Sequence, residues 1–322
     1  MTTEPRRPEH AVRDAVIDGI LGFLGHQDPP TLRAIRTALE TEIEAAGPDA
    51  LLGLRSRITA DHGWGYYPPD PLARRIHEVL AGGFLEPDSA LVDGDHLEPL
   101  AQAPVAIFAN HLSYADANVI QILLQRGGAD AIANRLTAIA GPKIFSSIER
   151  RFSSMCFGTI KVPQSTDVSS GEAVLNARDV ARAARHAIDV SRMRLDEGDA
   201  LLLFGEGTRS RSGGMQPMLA AVARYLDAPN ICVVPAGLTG PEVLFPIDDA
   251  RVRPARTELR VGRPFPAAVL LSCAHGDRRV AMDAIGLAVA EVLPASYRGV
   301  YGDQAAFRAA RDALRGARAG QP

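Results

Sequence analysis

Residues 104–125 read PVAIFANHLSYADANVIQILLQ, and along this stretch the pattern of apolar residues changes from that of a strand to that of a helix. The short apolar run PVAIFA is typical of a buried strand. The polar loop NHLSYAD follows it, and ANVIQILLQ then has the apolar spacing of a helix. A strand, a loop and a helix in this order indicate a βαβ unit of an α/β protein.

The same alternation continues toward the C-terminus, which favours a mostly parallel central sheet flanked by helices. We predict strands at 104–109, 136–140, 157–162, 200–204, 231–235 and 257–261. We predict helices at about 116–126, 142–152, 172–196, 217–226 and 279–293.

The chain before this region is predicted to be helical and connective. Residues 11–24 carry an apolar helical stripe, a second helix is expected after Pro30 with Thr31 as its N-cap, and a short third helix is expected near 51–58. The pattern LARRIHEVLAGG indicates one more helix. The predicted organisation is an N-terminal helical region over 1–95, an α/β domain over 96–300 and a C-terminal helical tail over 301–322.

Composition excludes several classes of protein. The net charge of the 322 residues is -3, from 35 basic and 38 acidic side chains, which argues against a nucleic-acid partner. The cysteines Cys156, Cys232 and Cys273 form no CxxC pair, so no disulfide framework or metal site is expected. Because no signal peptide and no apolar run of spanning length is visible, a soluble cytoplasmic protein is expected.

The first candidate site lies in the loop after the strand PVAIFA. His111 and Asp116 are five residues apart, so they can meet only if the loop turns and Asp116 lies near the helix N-terminus. Asp116 could then accept the Nδ1–H of His111 and leave Nε2 as a general base. The chain has no G-x-S-x-G motif, so such a base would act on the substrate's own hydroxyl. An ordinary polar histidine and an N-cap aspartate are the alternatives.

The second candidate site follows the strand ALLLF and reads GEGTRSRSGG, residues 205–214. A glycine-rich turn lets backbone N–H groups face a ligand, and Arg209 and Arg211 supply donors suited to phosphate or carboxylate. A dinucleotide-binding loop is a weaker alternative because the third glycine of G-x-G-x-x-G is missing. A solvated arginine-rich loop is the other alternative.

Together, NHLSYAD and FGEGTRS resemble the glycerolipid acyltransferase family, whose bacterial 1-acylglycerol-3-phosphate acyltransferases carry NHxxxxD and FPEGTRS. GTIKVPQ (158–164) and VVPAGLTG (233–240) resemble two further blocks of that family, in the same order. The likeness covers roughly residues 95–265. Each outer motif alone is a weak signal, whereas both in order on strand ends are specific.

The resemblance implies transfer of a fatty acyl group from a thioester, on acyl-CoA or acyl carrier protein, to a hydroxyl of a glycerol-phosphate or lysophosphatidate-type acceptor. It implies His111 as general base and Asp116 as its orienting partner, with no metal and no cofactor beyond the acyl donor. The residues that it assigns to substrate binding are Asn110, Lys143, Lys161, Glu206, Gly207, Thr208 and Arg209.

The chain's only two lysines, Lys143 and Lys161, lie close together in the sequence. Residues 131–161 contain five basic side chains, which include Arg150 and Arg151, and the single acidic residue Glu149. This local excess of positive charge suits an anionic partner, such as a phosphate head group, CoA, a carrier protein or the surface of an anionic membrane in peripheral contact. A solvated helix face remains the alternative for Arg150 and Arg151.

Two residues depart from the family pattern. Gln164 stands where the family often has an arginine that shares the acceptor phosphate, and Gly205 replaces the proline of FPEGTR. Gln164 leaves open a same-fold acyltransferase with a non-glycerolipid acceptor, such as an amino-lipid or a secondary metabolite. An inactive binding module is a further alternative, and nicotinamide-dependent oxidoreduction comes last.

Overall fold

The computed structural model describes residues 8–24, 28–60, 63–163, 176–247 and 252–319, and these form one mixed sheet with helices on both faces. The strands are β1 (Gly65–Tyr67), β2 (Ala90–Val92), β3 (Val105–Ala109), β4 (Leu136–Ala140), β5 (Gly158–Lys161), β6 (Ala200–Phe204), β7 (Cys232–Thr239), β8 (Glu258–Val261) and β9 (Phe265–Pro266).

The strand order is β1-β5-β4-β6-β3-β7-β8-β2, and β9 pairs with β7. The centre of the sheet is parallel: β5, β4, β6, β3 and β7 pair in that sense. β2 also lies parallel to β8, whereas β1 with β5, β8 with β7 and β9 with β7 are antiparallel. The predicted fold class, a mostly parallel sheet flanked by helices, is confirmed.

The helices of the described residues are α1 (Pro8–Phe23), α2 (Pro29–Ala46), α3 (Pro48–Thr59), α4 (Pro71–Phe84), α5 (Asp116–Arg126), α6 (Asp130–Ala133), α7 (Ile148–Ser154), α8 (Ala177–Asp196), α9 (Pro241–Leu244), α10 (Ala267–Cys273), α11 (Arg278–Glu291) and α12 (Arg308–Ala319). Short 3₁₀ segments connect several of them, including Pro142–Phe145 and Ala220–Leu226. None of these helices is long and apolar enough to cross a membrane.

Strand β3 divides the apolar interior into two cores, since alternate residues of a strand face opposite sides of the sheet. Val105, Ile107 and Ala109 face the core that contains α1–α5. Ala106 and Phe108 face the core that contains α11 and α12. Because the strand is buried on both faces, its sequence reads as a continuous apolar run rather than an alternating one.

All six predicted strands are present, and the structure adds three short ones. β1 and β2 lie within residues 1–95, so the region predicted to be helical also supplies two strands, one at each end of the sheet. Strands this short carry almost no pattern of their own, and their pairing is decided by the strand beside them.

Four predicted helices differ in detail. The second helix begins at Pro29, and its N-cap is Asp28 rather than Thr31, because the Asp28 carboxylate accepts the Thr31 N–H. The helix expected at 142–152 is a 3₁₀ turn followed by α7, because Ser147 is extended and caps a new helix through Arg150 N. The segment expected at 217–226 is a 3₁₀ helix over Ala220–Leu226. α8 begins at Ala177, and the part of the prediction at 172–175 lies outside the described residues. α10 was not predicted.

Parallel pairing brings the two polar motifs to one edge of the sheet. The last residues of β3 and β6, Ala109 and Phe204, are register partners. The loops that follow them therefore begin side by side at the carboxyl edge, where ligands bind in open α/β sheets. Lys143, which follows β4, and Lys161, the last residue of β5, reach the same edge.

Candidate active site

His111 and Asp116 meet at the N-terminus of α5. Asp116 is the first residue of this helix, and its Oδ2 lies 2.7 Å from Nδ1 of His111. The imidazole side chain is 20% exposed, and no hydrogen bond from the described residues reaches its Nε2. The loop therefore turns as the five-residue spacing required, and the ring presents one nitrogen to the open side.

Asp116 is fully buried and its carboxylate organises the whole loop. It accepts hydrogen bonds from the backbone N–H of Leu112 (2.6 Å) and of Ser113 (2.9 Å), and from the Ser113 hydroxyl (2.9 Å). Its position in the first turn of α5 also places the negative charge at the positive end of the helix dipole. The carboxylate is thus fixed on several sides, and the His111 ring is fixed with it.

The GEGTRS loop is bonded directly to the backbone of His111. Glu206 accepts the His111 N–H at 2.9 Å, and the N–H of Ser210 donates to the His111 carbonyl at 2.7 Å. The Phe204 ring stacks on the imidazole with 4.3 Å between ring centroids. The two motifs therefore form one site at the carboxyl edge of the sheet.

Glu206 is buried and connects two backbone segments of this site. It is 3% exposed, and its second oxygen accepts the N–H of Gln216 at 2.6 Å. Burial raises the pKa of its carboxyl group to about 7, against the two backbone hydrogen bonds that lower it. Both oxygens are engaged with the backbone, so the structure places Glu206 beneath the loop rather than on its open side.

Arg209 lies over the aromatic ring of Tyr114. Its guanidinium carbon is 3.6 Å from the ring centroid, and its buried Nη1 has no hydrogen-bond partner. Desolvation lowers the pKa of the guanidinium; Tyr114 and Asp116 raise it, and the neighbouring Arg150 and Arg211 lower it further. A half-buried cation with an unmatched donor is a candidate for binding an anion.

Neither motif predicts a role for Tyr114, and the sequence does not decide whether Arg150 binds an anion or lies on a solvated helix face. The guanidinium carbon of Arg150 lies 4.4 Å from the same ring centroid, and Arg150 Nη1 donates to the Lys143 carbonyl and to Ser146 Oγ. The available signal was an aromatic residue inside the His–Asp loop. Arg151 has a different role, because it donates to the backbone carbonyls of Phe145, Ile58 and Ala60 and so joins α7 to α3.

Asn110 faces β7 rather than the open side. Its Nδ2 donates to the Leu238 carbonyl at 2.9 Å and its Oδ1 accepts the Leu238 N–H at 2.8 Å. Asn110 thus extends the pairing of β3 with β7 by one residue and fixes where the His111 loop begins.

The remaining predicted binding residues surround the site at different depths. Gly207 and Thr208 are exposed, and Gly207 has a positive φ of 70° that favours glycine. The Lys161 Nζ lies 4.9 Å from the Phe145 centroid and 5.1 Å from that of Trp64, which is a cation–π arrangement. Lys143 is half-buried beside Arg150, and Gln164 lies outside the described residues.

Gly205 is explained by its neighbour Met218. A Cβ on Gly205 would lie 2.3 Å from Met218 Sδ, and Met218 is fully buried. The thioether occupies the space that a larger residue at position 205 would need.

Part of the chain is similar to known proteins. Residues 92–239 match the family model described as Acyltransferase. The chain is also similar to the crystal structure of the 1-acyl-sn-glycerophosphate (LPA) acyltransferase PlsC from Thermotoga maritima, with 17% sequence identity and a TM-score of 0.42 over 68% of this chain and 76% of that one. No curated protein matches the sequence.

The matched residues contain both loops of the site, NHLSYAD and FGEGTRS, together with every strand from β3 to β7. The resemblance that these motifs indicated is therefore confirmed over residues 92–239, which are similar to the acyltransferase family.

Proposed function

We propose that this enzyme transfers a fatty acyl group from a thioester to a hydroxyl of a glycerol-phosphate or lysophosphatidate-type acceptor, with His111 as the general base. The observation that carries the proposal is the 2.7 Å contact between His111 Nδ1 and Asp116, with Nε2 left without a protein partner among the described residues. That contact fixes the tautomer in which Nε2 carries a lone pair.

The reaction proceeds by direct attack. The acceptor oxygen attacks the thioester carbonyl carbon while its proton passes to Nε2 of His111. The imidazolium that forms is stabilised by the buried Asp116 carboxylate. The C–S bond then breaks, and the leaving thiolate takes the proton back from the imidazolium, so the enzyme returns to its starting state without a covalent intermediate.

The donor in this proposal is acyl-CoA or acyl carrier protein, and no further cofactor takes part. The acceptor's charged group would lie toward Arg209, whose buried Nη1 lacks a partner. Glu206, Gly207 and Thr208 shape the turn that presents Arg209, and Lys143 and Lys161 lie farther along the same edge. Peripheral contact with an anionic membrane would bring a lipid acceptor to this edge.

The test is a matrix of acyl-CoA and acyl carrier protein donors against 1-acylglycerol-3-phosphate, glycerol 3-phosphate and non-phosphorylated hydroxyl acceptors. We expect His111→Ala to lower kcat at least ~10²-fold with every active pair, the low end for loss of general-base catalysis. Near-native turnover by this variant would refute the assignment of His111.

His96 supplies the matched control. Its Nδ1 also lies close to an acceptor, the Val261 carbonyl at 2.9 Å, but His96 belongs to neither motif. We expect His96→Ala to keep kcat within a few-fold of the unmodified enzyme. Activity restricted to non-phosphorylated acceptors would replace the glycerolipid proposal with another acyl acceptor, and a lack of thioester consumption with every acceptor would favour a binding module.

A further inference from the structure

Arg150, Tyr114 and Arg209 form a cluster that neither sequence motif predicts as a unit. The two guanidinium carbons lie 4.4 Å and 3.6 Å from the centroid of one tyrosine ring, so they are at most about 8 Å apart. They come from different elements: Arg150 from α7, Arg209 from the loop after β6 and Tyr114 from the His–Asp loop.

The cluster is electrostatically unbalanced. Neither arginine forms an ion pair with a carboxylate of the described residues, whereas Arg194, Arg260 and Arg279 all do so elsewhere. Arg211 is exposed next to them in the sequence and adds a third positive charge. The Asp116 carboxylate acts on Arg209 without contacting it, and like charges held close together still favour the binding of a further anion beside them.

The donors that remain also point to a ligand. Arg209 Nη1 is buried and unpartnered, and Arg150 uses only Nη1, in two long contacts of 3.2 and 3.3 Å. Each guanidinium therefore keeps donors suited to two oxygens of one anion.

We propose that Arg150 shares with Arg209 the binding of the acceptor's phosphate, with Tyr114 as the positioning residue for both, and that this pair selects a phosphomonoester dianion over a phosphodiester or an uncharged acceptor. This inference rests on the proposed function, because it concerns the acceptor of the same reaction. Two monocations match the charge of about -2 that a phosphomonoester carries above its second pKa near 6.

The first experiment measures steady-state kinetics with saturating acyl-CoA and either 1-acylglycerol-3-phosphate or 1-acylglycerol. We expect Arg150→Gln and Arg209→Gln each to raise KM for the phosphorylated acceptor about 10-fold or more and to leave KM for 1-acylglycerol within twofold. Tyr114→Leu should act in the same direction, while Tyr114→Phe, which keeps the ring, should restore a near-native KM. An unchanged KM in Arg150→Gln would overturn the inference and leave the proposed function intact.

Arg224→Gln is the matched control, since Arg224 is exposed and lines a separate cavity between α8 and α11. It removes one positive charge of the same type, and we expect its kinetics to equal those of the unmodified enzyme. A rise in KM equal to that of Arg150→Gln would show that only net charge matters, and this would also overturn the inference.

A second measurement does not depend on turnover. Inorganic phosphate is titrated calorimetrically into the unmodified enzyme and into each variant at pH 8. Binding that weakens at least 10-fold in both Arg150→Gln and Arg209→Gln supports the cluster as a phosphate site even if glycerolipid acylation fails. Equal binding by the unmodified enzyme and Arg150→Gln, or no binding by the unmodified enzyme, overturns it.

Discussion

Two buried aspartates lie at opposite edges of the sheet and have different partners. Asp116 follows β3 at the carboxyl edge, is fully buried and binds His111. Asp199 precedes β6 at the amino edge, is 6% exposed and accepts two hydrogen bonds from Arg194, at 2.8 and 2.7 Å. The Thr137 hydroxyl also donates to Asp199 at 2.5 Å.

The difference between them lies in the cation. A guanidinium stays protonated at all relevant pH values, so the Asp199–Arg194 pair is a fixed contact that joins α8 to the sheet. The imidazole of His111 binds Asp116 through one nitrogen only, and in the proposed function its second nitrogen acts on the acceptor hydroxyl. The same residue type therefore binds a permanent cation at one edge and, in the proposed function, orients the general base at the other.

The largest effect that separates the two is expected for Asp116→Asn. The amide has one acceptor oxygen, and its NH2 group is a donor that favours the other tautomer of His111, so we expect kcat to fall about 10³-fold. Steady-state kinetics on a variant with native circular dichroism provides the measurement. A kcat within tenfold of the unmodified enzyme would mean that the two aspartates do not differ in the proposed way.

Asp199→Asn should give the reverse result. Removing the charge leaves Arg194 without its main partner in a partly buried position, and we expect a loss of about 3 kcal/mol in the free energy of unfolding. At urea concentrations below the unfolding transition, kcat of the variant should stay within a few-fold of that of the unmodified enzyme. Urea denaturation and kinetics on the same preparation test both statements, and a large fall in kcat without a loss of stability would contradict them.

Glu206 makes the stability of the protein depend on pH at the carboxyl edge. Its pKa is about 7 in the folded protein and near 4.5 when exposed, so the folded state holds a proton that the unfolded state has released between these values. The contribution of Glu206 to the free energy of unfolding is therefore fully present below about pH 4.5. It falls by up to about 3 kcal/mol as the pH rises toward 7.

Glu206→Gln removes this titration. Urea unfolding at pH 5 and pH 8 should show a smaller fall in stability for the variant than for the unmodified protein. An equal fall in both would indicate that the carboxyl group does not titrate in this range.

The smallest effects are expected from the hydroxyl groups that bind each aspartate. Thr137→Val should cost about 1–2 kcal/mol in stability and leave kcat unchanged, because it removes only a bond to Asp199. Ser113→Ala removes the corresponding hydrogen bond to Asp116. We expect it to lower the free energy of unfolding by about 1 kcal/mol and to lower kcat several-fold. If both variants affect kcat equally, the functional contrast between the edges fails.

The sequence predicted the parts of the fold that carry their own pattern. Each buried central strand is a continuous apolar run, and each is found where it was predicted. β1, β2 and β9 are two or three residues long, so only the neighbouring strand determines that they pair. The break before α7 depends on Ser147 capping a new helix, which apolar spacing does not reveal.

The candidate site divides in the same way. The meeting of His111 with Asp116 could be predicted, because the spacing and a helix N-terminus leave one geometry in which they touch. The partners of Asn110 and Glu206 could not, because both bind backbone atoms of residues distant in sequence, Leu238 for Asn110 and His111 for Glu206. The cluster around Tyr114 was missed because ring contacts depend on how three separate segments pack.

The contact between Gly205 and Met218 has an evolutionary consequence. A proline in the turn, as in FPEGTR, needs the volume that the Met218 sulfur now fills. The two positions should therefore covary among homologues: a proline before the glutamate requires a smaller or differently directed side chain at the second position, and a buried methionine there requires glycine.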